Sequence, residues 1–340
     1  MHLLSRFGRL LEQVPGIRTL YDVVASPMSR FLYHSETLNY WKDRELLGRL
    51  PPGYRFCISH FVVGRSPYLA SFALRLTSAF RSLIQTSDVC SLNVAGHEVY
   101  VNLRDPRFLA IPREISEGLP QILHRYLFSG DSFIDIGANH GSFSVVASSI
   151  VGRHGCVYAI EPQPQLAGPL RLSLSKGPAR FEVLETAVGA REGVAELFVP
   201  AGSSGSAGIF GDFSARWSYS RLIVRMTQLD RLLENYDFSD RVVIKMDIEG
   251  GEAASLQGFG QLIRRLKPVL LLEVNQEAMR AAGTDNSELV GHLTDLGFDR
   301  FVTPGSPGNV ALLRSNVSLP HDVILLHKER ELINDSSTDH

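Results

Sequence analysis

From residue 132 to residue 328 the chain alternates short apolar runs with longer amphipathic ones. The strand-like runs are SFIDIG, CVYAIEP, FEVLETAVG, RVVIKMDIEG, PVLLLEV, FDRFVTP and DVILLHK. The helix-like stretches cover 142–151, 163–176, 252–265 and 286–296. Strands separated by helices pair in parallel through right-handed crossovers. The pattern therefore predicts an α/β fold on a mostly parallel sheet, whose last two strands form an antiparallel hairpin because no helix separates them.

The first 88 residues follow a different pattern. Apolar residues recur at helical spacing over 1–14, and a clearer helix is expected to begin at Ser66-Pro67, since proline suits the first helical position. The run LNVAGHEVYVNL then predicts a hairpin, and a helix is expected near 117–128. We therefore expect a helical extension over 1–88, an α/β domain over 89–328 and a disordered tail over 329–340.

Charge is distributed unevenly along the 340 residues, although the net charge is only −2. Residues 1–86 carry 11 Lys and Arg against 5 Asp and Glu, whereas the remainder carries 23 against 31. A net negative main domain repels phosphates, so nucleic acid is not an expected partner. The basic, amphipathic start suggests peripheral membrane contact through residues 1–14, and packing of that helix on its own domain is the simpler alternative.

Cysteine usage indicates a reducing compartment. The three cysteines, Cys57, Cys90 and Cys156, are odd in number and far apart, which disfavours a disulfide framework or a structural zinc site. The start of the chain lacks a signal-peptide pattern, and no uncharged apolar run approaches the ~20 residues that cross a bilayer. We therefore expect a cytoplasmic protein.

The segment 200–221 interrupts the alternation of strands and helices. It is rich in Gly and Ser but also contains Phe210, Phe213, Trp217 and Tyr219. A solvated linker needs no such aromatic side chains, so the segment is interpreted as a mobile lid or an acceptor-binding loop. The alternative is a loop that packs its aromatic side chains on its own domain.

The turn FIDIGANHGSFS, residues 133–144, joins the first strand to its helix and is the strongest functional signal. In an open parallel sheet, ligands bind beyond the carboxyl ends of the strands. Gly137 and Gly141 permit unusual dihedral angles, and the helix that follows presents free N–H groups that favour a carboxylate or phosphate. Asp135 can accept hydrogen bonds from an ammonium group. Together they predict a site for an amino-acid moiety.

Glu161 ends the second strand, where a carboxylate commonly binds the hydroxyls of a ribose. NAD and S-adenosylmethionine both fit a glycine turn followed by such an acid. NAD prefers the pattern G-x-G-x-x-G, whereas here Phe143 and Ser144 stand where a third glycine is expected. Asp135 would also repel a pyrophosphate. The turn therefore favours S-adenosylmethionine.

Several motifs in order strengthen this interpretation. FIDIGANHGSFS, AIEPQP, TAVG, MTQLDRLL, IKMDIEGGE and LLLEV together resemble the FkbM family of S-adenosylmethionine-dependent methyltransferases, over about residues 91–328. The resemblance implies a class I methyltransferase fold with a seven-stranded sheet, its last strand antiparallel, and O-methylation of a sugar or polyketide hydroxyl. It also implies a set of cofactor-binding residues: Asp135, Gly137, Asn139, Gly141, Glu161, Ala187 and Asp247. Ala187 would lie near the adenine, and Asp247 and Glu249 would face the transferred methyl group.

Candidate catalytic groups concentrate in KMDIEGGE, where Asp247, Glu249 and Glu252 fall within six residues. In a strand, Asp247 and Glu249 share one face. Carboxylates this close raise one another's pKa, which suits a general base near neutral pH. Glu252 has the alternative of capping the following helix or binding Lys245.

His140 and Glu273 are further candidates near the expected cofactor. His140 could act as the base, although a solvent-facing loop histidine is the favoured alternative. Glu273 ends the fifth strand and could line an acceptor pocket. Oxygen ligands from Asp247, Glu249 and Glu273 would suit magnesium, but their spacing does not establish a metal site and none is predicted.

The sequence thus predicts an S-adenosylmethionine-dependent O-methyltransferase acting on a hydroxyl of a sugar, glycolipid or related secondary metabolite. One alternative is a non-catalytic protein that keeps the cofactor-binding fold and docks to a membrane or a partner. An NAD-dependent dehydrogenase is the less favoured alternative. The oligomeric state does not follow from the sequence.

Overall fold

A computed structural model describes residues 39–51, 54–55, 58, 88–200, 204–209, 219–306, 308–315 and 317–330. The strands are β1 Val89–Val94, β2 His97–Asn102, β3 Ser132–Ile136, β4 Cys156–Ile160, β5 Arg180–Leu184, β6 Ala187–Val188, β7 Gly193–Pro200, β8 Tyr219–Thr227, β9 Val242–Met246, β10 Val269–Glu273, β11 Phe298–Val302, β12 Ala311–Leu312 and β13 Asp322–His327. The α-helices are α1 Arg44–Arg49, α2 Ile111–Ser116, α3 Leu119–Tyr126, α4 Ser142–Val151, α5 Pro164–Leu174, α6 Leu229–Leu232, α7 Glu252–Gln257, α8 Gly260–Leu266, α9 Gln276–Ala281 and α10 Asn286–Asp295.

The main sheet has the strand order β12-β11-β13-β10-β9-β3-β4-β5. Strands β5, β4, β3, β9 and β10 pair in parallel, and β13 inserts antiparallel between β10 and β11. This is the seven-stranded order of a class I methyltransferase with its reversed last strand, and the predicted fold is confirmed. The two-residue strand β12 is an addition at the edge.

Helices cover both faces of this sheet. On one face α2 to α5 and the β1–β2 hairpin share an apolar core with Phe133, Val157 and Val243. On the other, α6 to α10 pack against Ile134, Ile160 and Ile244. The central strands β3, β4 and β9 are therefore buried on both faces, which is why they read as continuous apolar runs.

The hairpin predicted from LNVAGHEVYVNL is present as β1–β2, and it turns at Ala95 and Gly96, both with positive φ. Ahead of it, Trp41 is fully buried and donates its Nε1 proton to the Leu109 carbonyl at 2.9 Å. Only fragments of the predicted helical extension fall within the described residues. The predictions for 1–38, 59–87, 210–218 and 331–340 lie outside them, and the domain boundaries stay a prediction.

The run FEVLETAVG was expected to form one strand and instead forms two. The Thr186 amide donates to the Leu184 carbonyl at 3.1 Å, a tight turn that ends β5 and redirects the chain. After it, β6 joins a separate three-stranded sheet of order β6-β8-β7. Strands β7 and β8 are the antiparallel arms that flank the predicted insertion.

The helix expected over 252–265 is broken into α7 and α8 at Gly258 and Phe259. The backbone of Gly258 passes so close to Gly189 that a Cβ atom would lie 2.6 Å from the Gly189 carbonyl oxygen. The Gly258 carbonyl also accepts a hydrogen bond from Asp230. This close approach to the small sheet interrupts the helix. In the described part of the chain, no helix has the length and apolarity needed to cross a membrane.

Candidate active site

A cavity of about 790 Å³ opens beyond the carboxyl ends of β3, β4, β9 and β10. This is where an open parallel sheet binds its ligands, and the volume lies within the ~300–1,000 Å³ of small-molecule sites. Its wall includes eight of the residues predicted for the site or weighed for it: Gly137, Asn139, His140, Glu161, Ala187, Asp247, Glu249 and Glu273. Asp135 and Gly141 lie behind this wall.

The glycine turn has the unusual dihedral angles that its sequence predicted. Gly137, Asn139 and Gly141 all have positive φ, at 77°, 52° and 87°. At Gly137 the close neighbour is the chain's own backbone, since a Cβ atom there would lie 2.0 Å from the Asp247 carbonyl oxygen. The glycine thus lets the turn after β3 meet the turn after β9. Helix α4 then begins at Ser142, and its first two residues, Ser142 and Phe143, line the cavity.

Asp135 supports the turn from beneath rather than from the cavity wall. It is fully buried, accepts a hydrogen bond from Ser144 at 2.6 Å, and lies 3.6 Å from the ammonium group of Lys245. Lys245 also lies 3.3 Å from Asp247 and donates to the Gly137 carbonyl at 2.9 Å. The ammonium group that Asp135 contacts here therefore belongs to the chain itself, and its contact with the cofactor stays a prediction.

The neighbouring carboxylates of Asp135 and Asp247 keep the side chain of Lys245 positively charged. Burial disfavours its charge, but Asp247 and Asp135 outweigh that effect, so the pKa of Lys245 is raised. Burial, only partly offset by Lys245, raises the pKa of Asp135. The sequence pattern did not single out this ammonium group as part of the site.

Glu161 is buried and held in a fixed orientation. Its two carboxylate oxygens accept hydrogen bonds from the backbone amides of Asn139 at 2.8 Å and Gln163 at 2.9 Å. Ala187 lies in the same wall, at the start of β6, and its place near the adenine stays a prediction. The position of Glu161 suits a carboxylate that binds ribose hydroxyls, and that role of Glu161 stays a prediction.

Burial raises the pKa of Glu161 to about 7. A protonated carboxyl is a weaker hydrogen-bond acceptor for ribose hydroxyls than a carboxylate is. Affinity for S-adenosylmethionine should therefore fall as the pH drops from 8 to 6. Titration calorimetry across this range measures the effect. Glu161→Gln should bind more weakly and lose this component of the pH dependence. An identical pH profile in the variant would contradict the ribose assignment.

The raised pKa of Glu161 also predicts how its contribution to folding stability depends on pH. Because the folded-state pKa lies above the ordinary value of 4.5, the neutral form is favoured in the folded protein. The stability contributed by Glu161 is therefore fully present below pH 4.5 and is lost as the pH rises through about 7.

His140 is not the solvent-facing histidine that the sequence favoured. Its side chain is fully buried, and its Nε2 lies 2.9 Å from the Asp105 carboxylate. Asp105 also accepts from the backbone amide of Ser204, whose hydroxyl in turn accepts from the side chain of Asn139. His140 therefore ties the glycine turn to the chain before β3, and its role as a base stays a prediction.

Three acids meet where β9 and β10 end. Carboxylate oxygens of Asp247, Glu249 and Glu273 all lie within 4.8 Å of one another. Strand β9 ends at Met246, so Asp247 and Glu249 occupy the following turn rather than one face of a strand. Glu249 has a φ of 52°, a strained angle for its residue type, and accepts a hydrogen bond from Asn275 at 2.9 Å.

Two of these acids, Glu249 and Glu273, have raised pKa values. Burial, reinforced by the charge of Asp247, raises the pKa of Glu249 to about 8 and that of Glu273 to about 9. At neutral pH both are therefore mainly protonated and can donate hydrogen bonds. By spacing, the three acids could hold a divalent cation, as could Glu273 with His321 and Asp322.

Glu252 takes the structural role that the sequence left open. One of its carboxylate oxygens accepts hydrogen bonds from the amides of Ile248 at 3.1 Å and Gly250 at 3.3 Å, at the start of α7. The side chain is buried and is not part of the cavity wall.

Sequence reasoning missed one side of the cavity. Arg107 and Glu114 line it as an ion pair, and Ser142 donates to Glu114 at 2.6 Å. Arg107 and Glu114 lie in the turn before α2 and in α2, where no sequence motif marks them. The wall they form becomes visible only once the chain before β3 is folded against the glycine turn.

Comparison with known proteins agrees with this geometry. Residues 135–300 match the family described as "Methyltransferase FkbM domain". A curated relative, "Probable cobalt-precorrin-6B C(15)-methyltransferase (decarboxylating)" of Sulfolobus acidocaldarius, is 43% identical over 60 residues. That alignment covers 17% of this chain and 31% of the relative, so the chain spans less than a third of that protein.

Two solved structures are similar at low identity. The methyltransferase FkbM from Methylobacillus flagellatus KT is 13% identical with a TM-score of 0.33, covering 85% of this chain and 59% of that one. The M. jannaschii protein TYW2, solved in complex with AdoMet, is 11% identical with a TM-score of 0.35, covering 71% and 88%. Residues 135–300 therefore form an FkbM methyltransferase domain that uses S-adenosylmethionine, and the strand order and the glycine-turn cavity agree with that match.

Proposed function

We propose that this chain transfers the methyl group of S-adenosylmethionine to a hydroxyl oxygen of a sugar, glycolipid or related secondary metabolite. The observation that carries the proposal is the meeting of Asp247, Glu249 and Glu273 in the cavity that also contains the glycine turn and Glu161. One end of the cavity thus suits the donor and the other suits an acceptor.

The donor fits the residues present. Glu161 offers a buried, oriented carboxylate for ribose hydroxyls, and the first amides of α4 offer N–H groups for the methionine carboxylate. When bound, S-adenosylmethionine supplies a methyl group on a sulfonium, whose leaving group is a neutral thioether. The chain's own task is to align the acceptor oxygen and to receive its proton.

The acid cluster favours a hydroxyl acceptor over an amine or an anion. Opposite charges nearby would hold an amine in its protonated form, which has no lone pair to attack the methyl group. A phosphate or carboxylate beside Asp247 would be repelled. A neutral hydroxyl can accept hydrogen bonds from protonated Glu249 and Glu273 and donate its own proton to Asp247, and such proton transfer is worth about 10²–10⁴-fold in rate.

Asp247→Asn is expected to lower turnover on the order of 10²-fold or more, because the variant retains a similar shape but cannot accept the proton. Affinity for S-adenosylmethionine should change much less. Calorimetry measures the affinity, with NAD as a comparison ligand, and labelled S-adenosylmethionine measures transfer to a panel of glycosides and extracted metabolites.

Asp240→Asn provides the matched control, since Asp240 is exposed near the opposite end of the same strand. It should leave both quantities unchanged. Wild-type-like turnover in Asp247→Asn would remove the proposed role of Asp247. Labelled products that carry the methyl group only on nitrogen or carbon would contradict O-methylation.

The remaining predictions from the sequence keep that status. A cytoplasmic location, peripheral membrane contact through residues 1–14, and the absence of a nucleic-acid partner are proposals. Residues 1–14 lie outside the described residues, so the docking alternative gains no support from the structure.

A further inference from the structure

One side of the cavity is apolar, and it is formed mostly by chain that precedes the family domain. Ile111, Leu119 and Ile122 line it, and Phe143 joins them from α4. The matched domain begins at residue 135, so the first three side chains come from outside it. We refer to these four side chains as the apolar wall.

The apolar wall follows from the pattern of α3. Leu123 and Tyr126 are buried in the core, whereas Leu119 and Ile122, three residues apart on the adjacent face, are only half-buried. Ile122 and Phe143 pack against the edge of the core and leave part of their surface towards the cavity. Half-buried apolar side chains in a cavity offer contact area to a ligand.

This wall adjoins the proposed transfer centre. The ring centroid of Phe143 lies 5.4 Å from the ammonium group of Lys245, which in turn lies 3.3 Å from Asp247. Only one side chain therefore separates the apolar surface from the acid cluster. A ligand that places a hydroxyl at Asp247 brings the group attached to it close to Phe143.

The charges of the cavity define what that attached group can be. Among the described wall residues the Lys and Arg side chains are Lys245 and Arg107, and both are already paired with carboxylates, Lys245 with Asp135 and Asp247, Arg107 with Glu114. An anionic group on the acceptor would lie beside Asp247, whose partner Lys245 is shared with Asp135. An uncharged apolar group would instead contact the apolar wall.

We propose that the methyl acceptor is amphipathic. Its hydroxyl-bearing part lies at Asp247, Glu249 and Glu273, and an uncharged apolar chain or ring system lies against the apolar wall. This inference rests on the proposed function, because it places the acceptor by the acid cluster. Each buried methylene group strengthens binding by up to about fourfold, so a short alkyl chain has a measurable effect.

The test compares octyl β-glucoside, below its micelle concentration, with methyl β-glucoside. Both are titrated by calorimetry into the full chain saturated with S-adenosylhomocysteine. The octyl compound should bind at least tenfold more tightly. In the double variant Leu119→Ser/Ile122→Ser the preference should fall below threefold. Leu172→Ser changes an exposed leucine of α5 away from the cavity and should keep the full preference.

Equal affinities in the wild type, or saturable binding of neither compound, overturn the proposal. So does a preference that survives in the double variant. Binding of S-adenosylmethionine is measured separately on each protein. In the wild type, absence of the octyl preference with intact donor binding contradicts this inference alone, whereas absence of donor binding contradicts the proposed function.

Discussion

Gly137→Ala is expected to abolish measurable binding of S-adenosylmethionine at concentrations that saturate the wild type. The added Cβ atom would lie 2.0 Å from the Asp247 carbonyl oxygen, a backbone atom that cannot rotate away. The turns after β3 and β9 must therefore separate, and residues of both turns line the cavity. A misplacement of 1 Å costs about 10²-fold in catalysis, and we expect an affinity loss on the order of 10²-fold or more.

The variant is also expected to be less stable. The positive φ of 77° contributes about 1 kcal/mol when glycine becomes alanine, and the steric overlap adds ~1–3 kcal/mol. Denaturant unfolding measures this loss, and calorimetry on the folded variant at low temperature measures the affinity.

Gly96→Ala separates the two causes. Gly96 has a similar φ of 84°, in the hairpin turn, and within the described residues nothing lies within 4 Å of its added Cβ. This control should lose only about 1 kcal/mol and retain full affinity. Gly137→Ala with wild-type affinity would show that the contact between the two turns does not shape the donor site.

The main sheet was predictable because its signals are local. Runs such as VVIKM and VLLLE are buried on both faces, and buried parallel strands need continuous apolar sequence. The breaks were not predictable, because tertiary contacts cause them. Gly258 ends α7 where the chain passes Gly189, almost 70 residues earlier, and no pattern near Gly258 indicates that approach.

The site divides in the same way. Gly137, Asn139 and Glu161 could be placed in the cavity because a strand end followed by a glycine turn is a local pattern. The burial of His140 depends on Asp105, which lies 35 residues earlier in a segment without a recognisable motif. Contacts at that separation leave no trace in a single sequence.

The features that could not be predicted from the sequence share a physical cause. The glycine turn, Glu161 and the acid cluster lie at strand ends that carry their own sequence signal, whereas the cavity wall before β3 is built where separate segments pack together. Arg107, Glu114 and three of the four side chains of the apolar wall precede the matched domain, and Ser204 belongs to the predicted insertion. The part of the cavity expected to determine acceptor choice is therefore the part that the family motifs describe least.

Lys245→Met is expected to destabilise the protein by about 3–5 kcal/mol, because removing one partner of a buried ion pair leaves an uncompensated charge. Asp135, with no exposed surface, would lose the cation 3.6 Å away, and among the described residues its carboxylate would keep the hydrogen bond from Ser144. The hydrogen bond from Lys245 to the Gly137 carbonyl is lost as well, so the glycine turn should loosen. Urea unfolding at pH 7 measures the change.

The pH dependence and a second substitution test the cause. Without Lys245 the pKa of Asp135 should rise further above its ordinary value, so stability should be retained at low pH and lost as the pH increases. The variant should therefore differ least from the wild type near pH 4 and most near pH 8. Adding Asp135→Asn removes the buried charge and should recover part of the loss, whereas an additive result would show that the two residues are not coupled.

Lys267→Met provides the matched control, since Lys267 pairs with Glu329 at the surface, with side chains 41% and 51% exposed. A surface pair of this kind contributes about 0–1 kcal/mol, so the same substitution should cost little there. Equal losses in the two variants would mean that methionine is poorly tolerated in general and that burial of the charge is not the cause. A large loss confined to Lys245 would identify its ammonium group as the link between the fold's central strand and the floor of the proposed donor site.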